Sequence, residues 1–236
     1  MAQKKNTSDL EAALELLKRR GTKKTRDGYA RYGIVAPKAF GVTVGDIQRI
    51  AKTVGSNHDL AEALWKSGWY EARMLAAFVA EPDRVTAAQM DRWCRDFDNW
   101  GICDTVCFKL FDRSPLAFNK VRQWARLKDE FGRRGSFALL ASLALHDKQS
   151  DNEAFVRCLP LIEHAASDDR NFVKKAVSWA LRAIGGRNAE LHAAAITVAK
   201  RLAESEEPTP RWIGKDALRD LTRPLIVREL ASAAGK

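Results

Sequence analysis

The sequence predicts an all-α fold, an α-solenoid of stacked antiparallel helix pairs, from three observations. Apolar residues recur at spacings of three and four rather than two, which is the period of helices and not of strands. The chain of 236 residues includes only seven prolines, and its runs of β-branched residues are short. Similar segments also recur about every 40 residues, which is a spacing typical of repeated helix pairs.

The helical period defines the elements one after another. The first apolar face consists of Leu10, Ala13, Leu14 and Leu17, which share one side of a helix. The same pattern predicts further helices over residues 44–54, 59–65, 70–79, 87–95, 100–112, 116–125, 131–144, 153–166, 171–184, 190–203 and 211–221.

Turn and cap residues separate these helices. Turn sequences occur at residues 55–57, 67–68, 81–83, 114–115 and 185–188. Thr86, the pair Ser150 and Asp151, and residues 167–169 stand where helix N-caps belong. Residues 204–210 form an acidic, proline-broken segment, which predicts a loop before the last helix. Because no linker or low-complexity stretch interrupts the chain, we expect one domain over residues 1–236, with a disordered tail at 231–236.

The repeated segments begin with basic residues and become small and apolar. They lie at residues 133–144, 173–182 and 213–220, and residues 71–77 resemble an earlier copy. This spacing is near the HEAT and armadillo period, so we expect HEAT-like helix pairs whose inner helices line one concave basic face. Each charge alone is typical of a solvated side chain, but recurrence favours a phosphate-binding face. The basic positions expected on it are Arg73, Arg133, Arg134, Lys174, Lys175, Arg182, Arg187 and Lys215.

The charge of the chain indicates its class of partner. A formal net charge of +10 favours a polyanion, and we expect nucleic acid rather than a membrane surface. No stretch approaches the roughly 20 apolar residues of a membrane span, and no apolar signal region follows Met1. We therefore expect a cytoplasmic protein, associated with the nucleoid if its source is bacterial. No obligate protein partner is evident.

The four cysteines match neither a disulfide framework nor a common metal-ligand spacing. Cys103 and Cys107 lie one helical turn apart, which leaves a shared metal open. The favoured interpretation is that they are small buried residues. No metal and no cofactor are therefore expected.

Trp100 and Asp104 form the most informative pair in the chain. Residues four apart on a helix are neighbours, so one ligand can meet both the indole face and the carboxylate. Trp100 follows the cap-like pair Asp98-Asn99, which predicts a position in the first helical turn and near the surface rather than in the core. A buried Asp104 would need a partner such as Arg134, whereas a functional Asp104 would face a cleft.

Four segments, in this order, resemble the AlkD-type DNA alkylation repair glycosylases, a family of HEAT-like-repeat enzymes. They are Ala30-Arg31-Tyr32 with Gly41-Val42-Thr43 nine residues later, Trp100-Gly101-Ile102-Cys103-Asp104, Arg134 at the head of an apolar helix, and residues 175–182 in the sequence Lys-Ala-Val-Ser-Trp-Ala-Leu-Arg. The resemblance covers residues 10–225, nearly the whole chain. The sequence departs from the family at Gly101 and Cys103, where bulkier or more polar residues are common.

The resemblance implies a role for each matching residue. Asp104 would be the catalytic carboxylate, and Trp100 and Trp179 would be aromatic walls beside the lesion nucleotide. Arg134 would contact the DNA backbone, and Tyr32 would complete the cleft. On residue types alone, Trp179 is typical of a core residue and Tyr32 of a packed aromatic. The expected DNA-binding set is Tyr32, Arg134, Arg73, Lys174, Lys175, Arg182 and Lys215.

The activity that the resemblance implies is hydrolysis of the N-glycosidic bond of N3- and N7-alkylated purines in double-stranded DNA, without drawing the base into a pocket as most glycosylases do. No lysine is placed for a lyase step, so a monofunctional hydrolase is expected. Two other classes remain open. One is a non-catalytic protein of the same fold that binds damaged, bent or branched DNA. The other is a helical-repeat scaffold for proteins, which the excess of basic charge disfavours.

Overall fold

Helices make up all the regular structure of the computed structural model, which describes residues 2–224, with side chains from residue 7 onward. No strand occurs among these residues, and the all-α prediction is confirmed. The predicted tail at 231–236 lies outside the described residues. The chain divides into two compact units, Met1–Ser114 and Pro115–Lys236. The expectation of one domain stays a prediction.

The first unit contains seven α-helices among its described residues. They are α1 (Ala2–Arg20), α2 (Lys23–Gly28), α3 (Val44–Val54), α4 (His58–Ser67), α5 (Tyr70–Val79), α6 (Ala87–Arg95) and α7 (Trp100–Lys109). Short 3-10 helices occur at Tyr29–Tyr32, Pro82–Arg84 and Phe111–Arg113. The central helix is α5, which packs against α3, α4 and α7.

Helix α4 extends beyond the predicted 59–65 at both ends, and two larger differences from the sequence prediction occur in this unit. Helix α2 and the 3-10 helix after it were not predicted, because neither buries a residue and so neither shows an apolar period. The helix predicted over 100–112 ends earlier, at Lys109, since Leu110 leaves helical geometry with φ −137° and ψ −58°. The remaining residues form the 3-10 helix Phe111–Arg113.

The second unit also contains seven α-helices among its described residues. They are α8 (Ala117–Trp124), α9 (Glu130–His146), α10 (Asn152–Val156), α11 (Leu159–Ala165), α12 (Asn171–Gly185), α13 (Ala189–Ala203) and α14 (Pro208–Leu221). Helix α12 packs between α9 and α14, and each of these three helices also packs against its predecessor, α8, α11 or α13. The expected HEAT-like pairing is therefore present, and α9, α12 and α14 are the three repeated segments.

Prolines account for two wrong predictions in the second unit. The helix predicted over 153–166 is two helices, and Pro160 lies in the first turn of the second. The loop predicted over 204–210 ends earlier, because Pro208 and Pro210 lie in the first turn of α14. Proline is tolerated there, since the first amides of a helix have no intrahelical partner. In both places proline begins a helix rather than breaking one.

Candidate functional site

Trp100 is the first residue of α7, as its cap-like neighbours predicted. The Asn99 side chain accepts a hydrogen bond from the backbone N–H of Ile102 at 3.0 Å and so caps the helix. The Trp100 side chain is partly exposed, and its Nε1 donates to the carbonyl oxygen of Tyr32 at 2.7 Å. Trp100 and Tyr32 are therefore in direct contact in the structure.

The Tyr32 loop, residues 29–42, approaches the start of α7 closely. A β-carbon at Gly101 would lie 2.6 Å from the Tyr70 hydroxyl and 3.3 Å from Cδ1 of Ile34. Real β-carbons do not tolerate the first distance, so only glycine fits without moving a neighbour. Gly101, at which the sequence departs from the AlkD-type pattern, is thus explained by how tightly Tyr70 of α5 and Ile34 of the loop pack on the start of α7.

A buried carboxylate fixes the far end of the Tyr32 loop. Glu71, in the first turn of α5, is fully buried. It accepts hydrogen bonds from the Tyr29 hydroxyl at 2.9 Å and from the backbone N–H groups of Phe40, Gly41 and Val42 at 3.0, 2.6 and 3.1 Å. Burial, together with the adjacent carboxylate, raises the pKa of Tyr29 well above its ordinary value, which keeps the hydroxyl a donor.

Gly41 completes this anchor. Its φ is +86°, and a β-carbon there would lie 2.1 Å from the carbonyl oxygen of Thr22. Thr43 then caps α3 by accepting from the Asp46 N–H. The Gly41-Val42-Thr43 motif therefore forms the junction between the loop and α3. Sequence reasoning missed Glu71, for which the available signal was a single carboxylate in a mostly apolar helix whose only other charged residue is Arg73.

Asp104 lies one helical turn after Trp100 on α7 and is partly buried. The cysteines on either side, Cys103 and Cys107, are fully buried. Burial raises the pKa of the Cys107 thiol, and neighbouring Cys103 and Asp104 act in the same direction. No group of three metal-ligating side chains occurs within residues 7–224. The cysteines are placed as packing residues beneath the carboxylate.

Arg73, expected at the DNA, is largely engaged within the first unit. Its Nη1 donates to the carbonyl oxygen of Asp96 at 3.2 Å and lies 3.5 Å from Oδ2 of Asp98. Its guanidinium group also lies over the Trp65 ring, 5.3 Å from the ring centroid. These contacts orient the segment around Asp96 and Asp98, which precedes Trp100.

In the second unit, Trp179 is partly exposed rather than a core residue. It lines a cavity of about 270 Å³ together with Lys148, Arg182, Arg187 and Asp220. The cavity thus combines an aromatic face with three cations and one carboxylate.

Several side-chain contacts join helices α12 and α14, and we call the three that link residues 38 apart the α12–α14 ladder. The Lys174 ammonium lies 5.4 Å from the centroid of the Trp212 ring. The Ser178 hydroxyl donates to Asp216, and Arg182 donates to Asp220 at 3.4 Å. Each contact joins residues 38 apart, so Lys174 and Arg182 partly serve to hold the repeat together.

Two arginines of the expected basic set contact backbone carbonyl oxygens. Arg134, only 7 % exposed, donates to the carbonyl of Phe172 at 2.7 Å. Arg187 donates to the carbonyls of Ala144 and Asp147 at 2.8 and 2.6 Å. Arg187 thereby stabilises the C-terminal end of α9, where a cation is favoured. Burial lowers its pKa.

The remaining expected cations differ in how available they are. Arg133 pairs at 2.9 Å with Asp168, which Arg170 also binds. The N-cap predicted over residues 167–169 is wrong, because the N-cap position of α12 is Arg170. Lys175 and Lys215 are exposed and make no ion pair with any described residue. They are the members of the set best placed to meet phosphates.

The fold and these residues define a HEAT-like helical-repeat protein with a tryptophan and a carboxylate on one helix face. A family model for DNA alkylation repair enzymes matches residues 13–221, and the chain belongs to that family. No curated protein matches the sequence.

A solved structure has a similar fold, with a TM-score of 0.74 and 22 % identity over 89 % of this chain and 94 % of that chain. That protein is described as one of "a new family of proteins related to the HEAT-like repeat DNA glycosylases with affinity for branched DNA structures". Within the described residues, no helix is long and apolar enough to cross a membrane.

Proposed function

We propose that this protein is a DNA glycosylase that hydrolyses the N-glycosidic bond of cationic N3- and N7-alkylated purines in duplex DNA, without base flipping into a pocket. The observation that carries the proposal is the pair of side chains on one face of α7 at its N-terminal end. There Trp100 is fixed by its hydrogen bond to Tyr32, and Asp104 follows one turn later. An aromatic face and a carboxylate together suit a cation held within a polyanion.

The chemistry needs few protein groups. Alkylation at N3 or N7 places a positive charge on the purine, so the base leaves as a neutral molecule without a general acid. Positive charge develops on the deoxyribose as the bond breaks, and the Asp104 carboxylate stabilises it and orients the attacking water. Water adds to C1′ and releases a proton. Each tryptophan contributes about 0.5–2 kcal/mol by facing the cation.

Residues of the second unit are proposed as DNA contacts on the family resemblance. Trp179 supplies a second aromatic face, and Arg134 contacts the DNA backbone. Tyr32 lies against Trp100, and Arg73, Lys174, Lys175, Arg182 and Lys215 complete the DNA-binding set. The pairing of Arg182 with Asp216 and Asp220 predicts a weaker phosphate contact than those of Lys175 and Lys215.

The test is incubation of the purified protein with N-methylated duplex DNA, followed by measurement of free alkylpurine. We expect release of 7-methylguanine and 3-methyladenine but not of neutral hypoxanthine or uracil. Asp104→Asn should lower release by at least about 100-fold, the loss typical of one electrostatic catalytic group, while duplex affinity is kept. Asp83→Asn is the matched control, since Asp83 is an exposed carboxylate of the same unit.

A second candidate is a non-catalytic protein that binds branched DNA, which the description of the similar solved structure favours. It predicts a gel shift with a four-way junction and no release of alkylpurine by the wild type.

For the glycosylase proposal, normal release of alkylpurine by Asp104→Asn would refute the assignment of Asp104 as the catalytic carboxylate.

A further inference from the structure

The Tyr32 loop exposes two large apolar side chains that lie three residues apart in the sequence. Tyr32 is 67 % exposed and Val35 is 76 % exposed, the highest values among the exposed large hydrophobic residues of the described chain. Ile34, between them, is buried, so the loop turns this apolar residue inward and presents Tyr32 and Val35 to solvent. Two large apolar groups this strongly exposed on one short loop mark a contact surface.

The loop holds these side chains on a fixed backbone. Gly33, with φ +67°, ends the 3-10 helix, and the Ile34 N–H donates to the carbonyl of Tyr29 at 3.2 Å. Trp100 binds the Tyr32 carbonyl from one side, and the Tyr70 N–H donates to the carbonyl of Lys38 at 2.9 Å. Because the backbone is fixed at both ends, inserting the two side chains into a partner costs little ordering entropy.

The charge around the exposed pair indicates what the partner is. Residues 29–42 contain two cations, Arg31 and Lys38, and no carboxylate. Arg31 is exposed. A DNA groove is lined by phosphates, which attract the exposed Arg31, and it opens onto apolar base stacks, so duplex DNA matches an apolar pair beside a cation.

We propose that Val35, with Tyr32, is an apolar wedge that inserts between adjacent base pairs of duplex DNA and unstacks one step. This rests on the proposed function only in taking DNA as the partner, since a wedge acts before excision and also without it. Unstacking a step widens access to the glycosidic bond while the damaged base stays outside any pocket. Unstacking a step also kinks the duplex, and the kinked duplex contacts more of the protein.

The experiment uses unmodified duplexes with 2-aminopurine at one position, whose fluorescence rises when the base unstacks. Saturating wild-type protein should raise the fluorescence several-fold. Val35→Ser should remove at least half of the rise, while duplex affinity falls by less than tenfold. Val44→Ser is the matched control because Val44 is also exposed and belongs to the same unit, but lies on α3. Val44→Ser should behave as the wild type.

Two outcomes would overturn the wedge. One is no fluorescence rise at saturation, and the other is a Val35→Ser variant that matches the wild type, as expected for a protein-docking surface. Asp104→Asn separates this proposal from the proposed function, because that variant should keep the full rise. A fluorescence rise without release of alkylpurine by the wild type refutes only the glycosylase, and release without a rise refutes only the wedge.

Discussion

The two units hold their candidate tryptophans by different means. In the first, Trp100 binds a loop whose far end is fixed by one buried carboxylate, Glu71. In the second, Trp179 lies on α12, which the partly exposed contacts of the α12–α14 ladder join to its neighbour. A single buried anchor gives a fixed geometry that one change destroys. A ladder distributes the same task over several weak contacts, so each can be lost.

The largest expected effect is that of Glu71→Ala. It leaves the backbone N–H groups of Phe40, Gly41 and Val42 without their acceptor, and each buried unpaired donor costs about 1–3 kcal/mol. We expect the free energy of unfolding, measured by urea denaturation, to fall by at least about 3 kcal/mol.

Two variants control for this loss. Glu71→Gln keeps one acceptor oxygen but turns an NH₂ group toward other donors, so its loss should be intermediate. Glu153→Ala removes an exposed partner of Arg157 and should cost no more than about 0.5 kcal/mol. Equal losses for Glu71→Ala and Glu153→Ala would show that Glu71 is not an anchor.

Gly101→Ala should come next. The new β-carbon meets the Tyr70 hydroxyl at 2.6 Å, and such overpacking costs about 1–3 kcal/mol. Displacement of the start of α7, which carries Trp100, should also weaken alkylpurine release. Gly45→Ala, in α3 with open space around the position, should instead raise stability by up to about 1 kcal/mol. A Gly101→Ala protein as stable as the Gly45→Ala protein would mean that the Tyr70 side chain moves aside easily.

The ladder should tolerate a comparable change. Asp220→Ala removes one partner of Arg182, whose side chain is 30 % exposed, and should lower the free energy of unfolding by less than about 1 kcal/mol. If thermal unfolding instead showed a loss as large as that of Glu71→Ala, the contrast between anchor and ladder would fail.

The smallest effects should come from the exposed lysines. Lys175→Ala and Lys215→Ala should each reduce the slope of log affinity against log salt for duplex DNA by about 1, since each removes one phosphate contact. Lys200→Ala, an exposed lysine on α13, is the control and should leave the slope unchanged. A change in slope for all three lysines would indicate diffuse attraction by net charge rather than contacts along α12 and α14.

Apolar period and cap residues predicted most of the fold. The bounds of α3, α5 and α6 were predicted to the residue, because turn or cap residues border helices with buried faces. Prolines at residues 160, 208 and 210 misled the prediction, since a proline that begins a helix and one that ends it look alike in sequence. Helix α2, which buries nothing, gave no signal.

The site was only partly predictable. A spacing of four placed Trp100 and Asp104 on one face, and the cap at Asn99 placed Trp100 near the surface. The partners of Arg182 and Arg187 depend on which helices become neighbours in three dimensions, so the sequence could not separate them from the exposed lysines. Glu71 was missed for the same reason, because its hydrogen-bonding partners lie 30 residues away in a loop.

The fixed spacing of the α12–α14 ladder restricts how the chain can change length. One residue inserted within α13 would rotate everything after it by about 100°, which would turn Asp216 and Asp220 away from Ser178 and Arg182. The turn at residues 204–207 lies outside both helices and can absorb an added residue without such a rotation. Length variation among relatives of this protein should therefore concentrate in that turn.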